Sequence, residues 1–100
     1  MNSKHRKILE AIFADPVRAD IAWQDIESLF KAQGGIVREG RGSRVRFIMG
    51  KEKDAMDGEN ATEVEYPMVA TFHRPHPQPY TDKGAVKSVR RFFEAIGVKP

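Results

Sequence analysis

The chain has 100 residues, which is enough for one domain. Its composition, 40% hydrophobic and 31% charged, is typical of a globular domain and too apolar for a disordered chain. The absence of cysteine excludes a disulfide framework, a thiolate metal site and a cysteine nucleophile. No apolar run approaches the roughly 18 residues of a membrane span, and the N-terminus lacks the apolar core of a secretion signal. We therefore expect a cytoplasmic protein with no membrane partner.

The charge is unevenly distributed along the chain. The formal net charge is +3. Residues 36–49 carry four arginines against one glutamate, and residues 82–100 carry five lysines or arginines against two acids. Between these blocks, residues 50–65 carry six acids against two lysines. If the fold brings the two basic blocks together, they form a phosphate-binding face. The alternative is solvated charge without a common partner.

The spacing of apolar residues predicts three helices. The first covers residues 4–14 and ends before Pro16. The second covers residues 23–33, and Gly34 follows it in the position that favours a left-handed backbone. The third begins after Thr81 or Asp82, either of which can cap it, and ends at Gly97.

Three strands are predicted between the second and third helices, at residues 36–39, 43–49 and 66–73. Gly40 to Gly42 form a tight hairpin turn between the first two. In the middle strand, Val45 and Phe47 lie on one face, while Arg44, Arg46 and Ile48 lie on the other. The acidic residues 50–65 link the last two strands, and we expect them to form a mobile or extended hairpin tip.

This order of elements, α-α-β-β-β-α, predicts an α+β fold. A three-stranded antiparallel sheet with helices on one face is the simplest way to bury the apolar stripes. The αβββα part has the connectivity of double-stranded-RNA-binding domains. We divide the chain into an N-terminal helical extension, residues 1–19, and a main domain, residues 20–100.

The segment most suggestive of chemistry is FHRPHPQPY, residues 72–80, with two histidines among three prolines. Histidine titrates near neutral pH and is the usual general acid or base. The alternatives are a rigid surface connector and a metal site. However, no carboxylate lies at helical spacing from His73 or His76, so we expect no metal and no cofactor. Ser43 lacks the flanking motif of a serine nucleophile.

Three runs together resemble the HicA family of bacterial toxins: WQDIESLFKAQGGIVREGRGSRVRF, TFHRPHP and KGAVKSVRRFFEAIG. The resemblance covers roughly residues 20–97. It implies a fold like that of double-stranded-RNA-binding domains, cleavage of mRNA without a metal, and neutralisation by a HicB-type antitoxin. In the family a catalytic histidine follows the glycine–serine pair, whereas here Gly42 and Ser43 are followed by Arg44. A guanidinium does not deprotonate in proteins, so Arg44 cannot be the general base.

From these residues and this resemblance we predict roles in metal-independent RNA cleavage, in which a ribose 2′-OH attacks the adjacent phosphate. We predict His76 as the general base, His73 as its alternative or acid partner, and Arg44 as the stabiliser of phosphoryl charge. Of the two histidines, His73 is the one that we expect to face the core layer. The residues predicted to hold RNA are Arg46, Arg74, Lys83, Lys87 and Arg90, and we expect Arg44 and Arg46 to share a face with the cations of the last helix. The alternative is a non-catalytic module that binds RNA or a protein partner.

Overall fold

A computed structural model describes residues 1–50 and 67–100 of the chain. The elements are α1 (Ser3–Ile12), β1 (Ile21–Ala22), α2 (Trp23–Ala32), β2 (Ile36–Glu39), β3 (Arg44–Met49), β4 (Met68–His73), β5 (Tyr80–Thr81) and α3 (Lys83–Ala95). The three helices and the three longer strands were predicted from the sequence. The two-residue strands β1 and β5 were not.

Strands β2, β3 and β4 form one antiparallel sheet in that order. The hairpin turn after β2 uses Gly42 at a φ of 63°, a backbone conformation that glycine adopts without steric cost. Val37 is opposite Phe47, and Val45 is opposite Phe72, so apolar side chains line up across the strands. The predicted α+β fold with a three-stranded antiparallel sheet is confirmed.

The core lies between the helices and one face of this sheet. Val45, Phe47 and Phe72 are buried there, and the ring of Phe30 from α2 stacks on Phe47 with centroids 4.5 Å apart. Leu9, in α1, is buried in the same core. Helix α1 is therefore part of the packed core of the main domain. In the described part of the chain, no helix covers the opposite face of the sheet.

The short strands join the starts of two helices. Ile21 pairs with Thr81, which brings the residues before α2 against those before α3. Of the two predicted caps, Thr81 and Asp82, it is Asp82 that caps α3, its carboxylate accepting from the Ala85 amide at 2.8 Å. Gly34 has a φ of 91° after α2, also as predicted.

Two predictions fall on residues outside the described ranges. These are the start of the third predicted strand at Tyr66 and, apart from Gly50, the form of the acidic link at residues 50–65. Among the described helices, none is long and apolar enough to cross a membrane.

Candidate nucleic-acid interface

The face of the sheet that points away from the helices carries the candidate site, and we call it the open face. Its side chains follow from the alternation of β2, β3 and β4 and from the register between them. They form three cross-strand rows: Ile36, Ile48 and Val69; Arg38, Arg46 and Thr71; and Arg44 with His73. The predicted side assignment of Arg44, Arg46 and Ile48 is confirmed.

Arg44 and His73 are direct cross-strand partners at the end of the sheet nearest the glycine turn. The Arg74 amide donates to the Ser43 carbonyl at 2.8 Å, so residues 43 and 74 form a hydrogen-bonded pair. The adjacent pair, Arg44 and His73, is then a non-hydrogen-bonded pair, in which Cα atoms are only about 4.5 Å apart and side chains are closest. Ser43 Oγ lies 3.4 Å from His73 Nδ1. The sheet thus brings a histidine, an arginine and a hydroxyl together.

The two predicted histidines differ in their placement. His73 is the last residue of β4 and lies exposed on the open face with Thr71, so the expectation that it faces the core layer was wrong. Strand alternation explains this, because the neighbouring Phe72 takes the inward position. His76 lies in the exposed segment after β4 and makes no hydrogen bond with a described residue. Of the two candidate bases, the geometry therefore favours His73.

Four arginines surround a concave region beside this pair. The region has a volume of about 360 Å³, and its lining includes Arg38, Arg41, Arg44, Arg46 and Thr71, together with Glu39, whose carboxylate accepts from Arg74. We call it the arginine cleft. Arg38 is directly opposite Arg46 across β2 and β3, a juxtaposition of like charges that destabilises a sheet. Within residues 1–50 and 67–100, no carboxylate lies within 4.0 Å of these four guanidinium groups to offset the repulsion. An anionic ligand would relieve it.

The sequence analysis counts all four arginines in the basic block of residues 36–49 but gives individual roles only to Arg44 and Arg46. The signal for Arg38 was present in the sequence. A hairpin that turns at Gly40–Gly42 places Arg38 opposite Arg46, and opposed residues share a face. Arg41 lies in the turn itself, where no alternation applies, so its approach to the cleft depends on the turn geometry.

Arg74 does not have the free guanidinium that its predicted phosphate contact requires. Its Nε and one terminal nitrogen donate to Glu27 at 2.7 and 3.0 Å, and its other terminal nitrogen donates to Glu39 at 2.6 Å. Glu27 is only 8% exposed and also accepts from the Trp23 indole N–H. These hydrogen bonds, first from Glu27 and then from Glu39, raise the pKa of Arg74, and the bond with Arg74 lowers that of Glu39. We therefore correct the assignment of Arg74 to a structural ion pair.

Arg90 also has a structural position in place of the predicted RNA contact. Its guanidinium donates to the carbonyl of Ile12 at 2.9 Å and to that of Ala14 at 2.8 Å, which satisfies unpaired carbonyls at the end of α1. It also lies 5.9 Å from the centroid of the Phe13 ring. The side chain thus ties α3 to the end of α1.

The predicted common basic face of β3 and α3 is not formed. Lys83 and Lys87 are exposed on α3, whose apolar side packs toward the inner face of the sheet, with Phe92 against Phe72. Arg44 and Arg46 project from the opposite face. The two basic blocks of the sequence therefore lie on opposite sides of the sheet.

The open face thus combines cations, a titratable imidazole and a hydroxyl. In the described residues, no three histidine, aspartate or glutamate side chains group together as a metal site. No family model matches the sequence, and comparisons with curated proteins and with solved structures find no match. Arginines in this arrangement can stabilise phosphoryl charge, and a histidine can transfer protons.

Proposed function

We propose that this chain is a HicA-type toxin that cleaves RNA without a metal ion, with the Arg44–His73 pair as its catalytic centre. The single observation that carries the proposal is the pairing of these residues on the open face, with Ser43 Oγ beside the imidazole. By resemblance to the family, its target is mRNA in the cytoplasm and its protein partner is a HicB-type antitoxin.

His73 is the general base of the proposed reaction. In the tautomer whose Nδ1–H donates to Ser43 Oγ, Nε2 is the acceptor nitrogen, and this contact orients the ring. Nε2 takes the proton from a ribose 2′-OH, and the 2′-oxygen forms a bond to the adjacent phosphorus. The bond from phosphorus to the 5′-oxygen breaks, that oxygen takes a proton from water, and the hydroxide so formed takes the proton from Nε2. The products are a 2′,3′-cyclic phosphate and a 5′-OH.

Arg44 stabilises the charge that develops on the phosphoryl oxygens. It occupies the position where the family has histidine, and it is directly opposite His73. A donor preorganised for such charge is worth about 3–4 kcal/mol in comparable sites. In this proposal the base has moved across to the neighbouring strand, while the charge stabiliser takes the family's histidine position.

The proposal is tested by RNA cleavage in the presence of chelator with wild type, His73→Ala, Arg44→Ala and His76→Ala. We expect His73→Ala to reduce the cleavage rate at least ~10²-fold, and Arg44→Ala to reduce it about 10²–10³-fold. His76→Ala is the matched control and keeps most of the activity. Equal cleavage by wild type and His73→Ala contradicts the assignment of the base. Loss of wild-type activity on adding chelator contradicts the metal-free mechanism.

The arginine cleft favours a second candidate, a module that binds RNA without cutting it. Arg38 and Arg46 line the cleft whether or not His73 acts as a base, and in this candidate they hold the RNA phosphates. In that case wild type binds RNA with strong salt dependence and yields no cyclic phosphate. Expression of the chain, with and without a HicB-type protein, separates the two candidates, because only the nuclease arrests growth.

A further inference from the structure

We propose that the arginine cleft is a subsite for the phosphate next to the scissile one, and that the protein therefore takes single-stranded RNA. This inference rests on the proposed function, because it uses the Arg44–His73 pair to locate the scissile phosphate. Its observations are the volume and lining of the cleft, the row order of the open face, and the placement of the α3 lysines.

The spacing of the rows matches the repeat of an extended nucleotide chain. The Arg38–Arg46 row lies two residues along the strands from the Arg44–His73 row. Two residues of a strand span about 7 Å, which is comparable to the separation of neighbouring phosphates in an extended single strand. One phosphate can therefore contact Arg44 while the next contacts Arg38 and Arg46. A cleft of about 360 Å³ has room for such a group.

The third row gives this path an apolar continuation. Ile36 is 46% exposed and Val69 is 49% exposed, with Ile48 between them. Apolar side chains suit the face of an unstacked base, which a single strand presents and a duplex keeps inside its stack. Along the open face, the catalytic pair is followed by the two arginines and then by the aliphatic row. This order matches an RNA chain that runs from its scissile phosphate to the next phosphate and then to a base.

A duplex fits the open face poorly. Strand β3 has 6 residues, a length of about 20 Å, whereas shape recognition of double-stranded RNA by comparable domains spans about 16 base pairs. Lys83 and Lys87 cannot extend the face, because α3 lies on the other side of the sheet. Within residues 1–50 and 67–100, the cations of the open face therefore form one short path.

The test measures binding of short oligonucleotides whose 2′-O-methyl groups prevent cleavage. A neutral methylphosphonate replaces one phosphate at a time on either side of the central linkage. We expect the replacement of one phosphate next to the central linkage to weaken binding by about 10-fold in wild type. In Arg38→Gln the same replacement weakens binding by less than about 2-fold, because the arginine that contacts this phosphate is already absent. Arg38→Gln itself lowers the salt slope of binding by about 1. We expect a duplex of the same sequence to bind at least about 10-fold more weakly than the single strand, because its bases stay inside the stack.

The control is Lys87→Gln, which removes an equal charge from the other side of the sheet and leaves both preferences unchanged. Circular dichroism confirms that each variant is folded. The inference is overturned if Lys87→Gln weakens binding as much as Arg38→Gln, if the methylphosphonate effect is undiminished in Arg38→Gln, or if the duplex binds as tightly as the single strand. Because these oligonucleotides cannot be cut, a failure of catalysis is seen separately, in the cleavage assay of the proposed function.

Discussion

Replacing Arg74 with methionine tests the ion pair that joins α2 to the end of β4. Among the described residues, the change leaves the buried Glu27 carboxylate with the Trp23 indole as its one remaining donor. Removing one partner of a buried ion pair costs about 3–5 kcal/mol. The Arg74 side chain is 33% exposed, and Trp23 continues to donate, so we expect a smaller loss, about 2–3 kcal/mol. In a domain of this size the midpoint of thermal unfolding then falls by about 10–20 °C.

Urea unfolding followed by circular dichroism measures this loss, and fluorescence of the single tryptophan, Trp23, reports on the network itself. A double-mutant cycle with Glu27→Gln isolates the pair, and we expect a coupling energy of at least about 1 kcal/mol. The matched control is Arg18→Met, which breaks an exposed bidentate pair with Asp20 and should leave the unfolding midpoint nearly unchanged, because solvent screens exposed ion pairs. A loss below about 0.5 kcal/mol for Arg74→Met would refute the reasoning.

Three further changes test other parts of the structure. Thr81→Val removes a buried hydroxyl that has no partner among the described residues, and in urea unfolding it should stabilise the fold by about 1 kcal/mol; a clear loss of stability contradicts this. Arg90→Leu should cost about 2–3 kcal/mol by the same measurement, whereas exposed Arg91→Leu should stay within about 0.5 kcal/mol. The lowered pKa of Glu39 contributes stability above the ordinary glutamate pKa, and this contribution is lost as the pH falls below about 4. Glu39→Gln should therefore flatten the pH dependence of unfolding in that window, and an unchanged slope counts against the pair.

The sequence predicts the larger elements because each carries a periodic signal. The stripe Trp23, Ile26, Leu29 and Phe30 repeats at the helical period, and residues 44–49 alternate at the strand period. The β1–β5 pair has no such signal, since a two-residue strand contains no period to detect. Its existence depends on tertiary packing that brings Ile21 to Thr81.

Charge alone does not distinguish arginines with different roles. Arg74 and Arg90 look as available as Arg44 in the sequence. Their partners are far away along the chain: Glu27 for Arg74, and the carbonyl of Ile12 for Arg90. By contrast, the alternation of residues in β3 already predicts that Arg44 lies on the face of the sheet away from the core. The same pattern also indicates that the arginines of β3 and the lysines of α3 lie on different sides of the sheet. A helix that packs on the face of Phe47 does not border the face of Arg44.

The choice between His73 and His76 also depends on contacts that the local sequence does not show. Pro75 and Pro77 flank His76 and restrict its backbone, which favours it as a base in the sequence. A restricted backbone does not, however, place His76 next to Arg44. The register between β3 and β4 places His73 opposite Arg44, and this register is consistent with the buried pairing of Val45 with Phe72. This information is not local to the FHRPHP segment.

The most direct test of the central claim maps the RNA contact surface by NMR with a single-stranded 2′-O-methyl oligonucleotide. We predict that the largest shifts fall on the open face, at Arg38, Arg44, Arg46, Thr71 and His73, and that they decrease as salt rises. Amides of α3 around Lys83 and Lys87 should change little. Shifts concentrated on α3, with the open face unperturbed, would contradict the account.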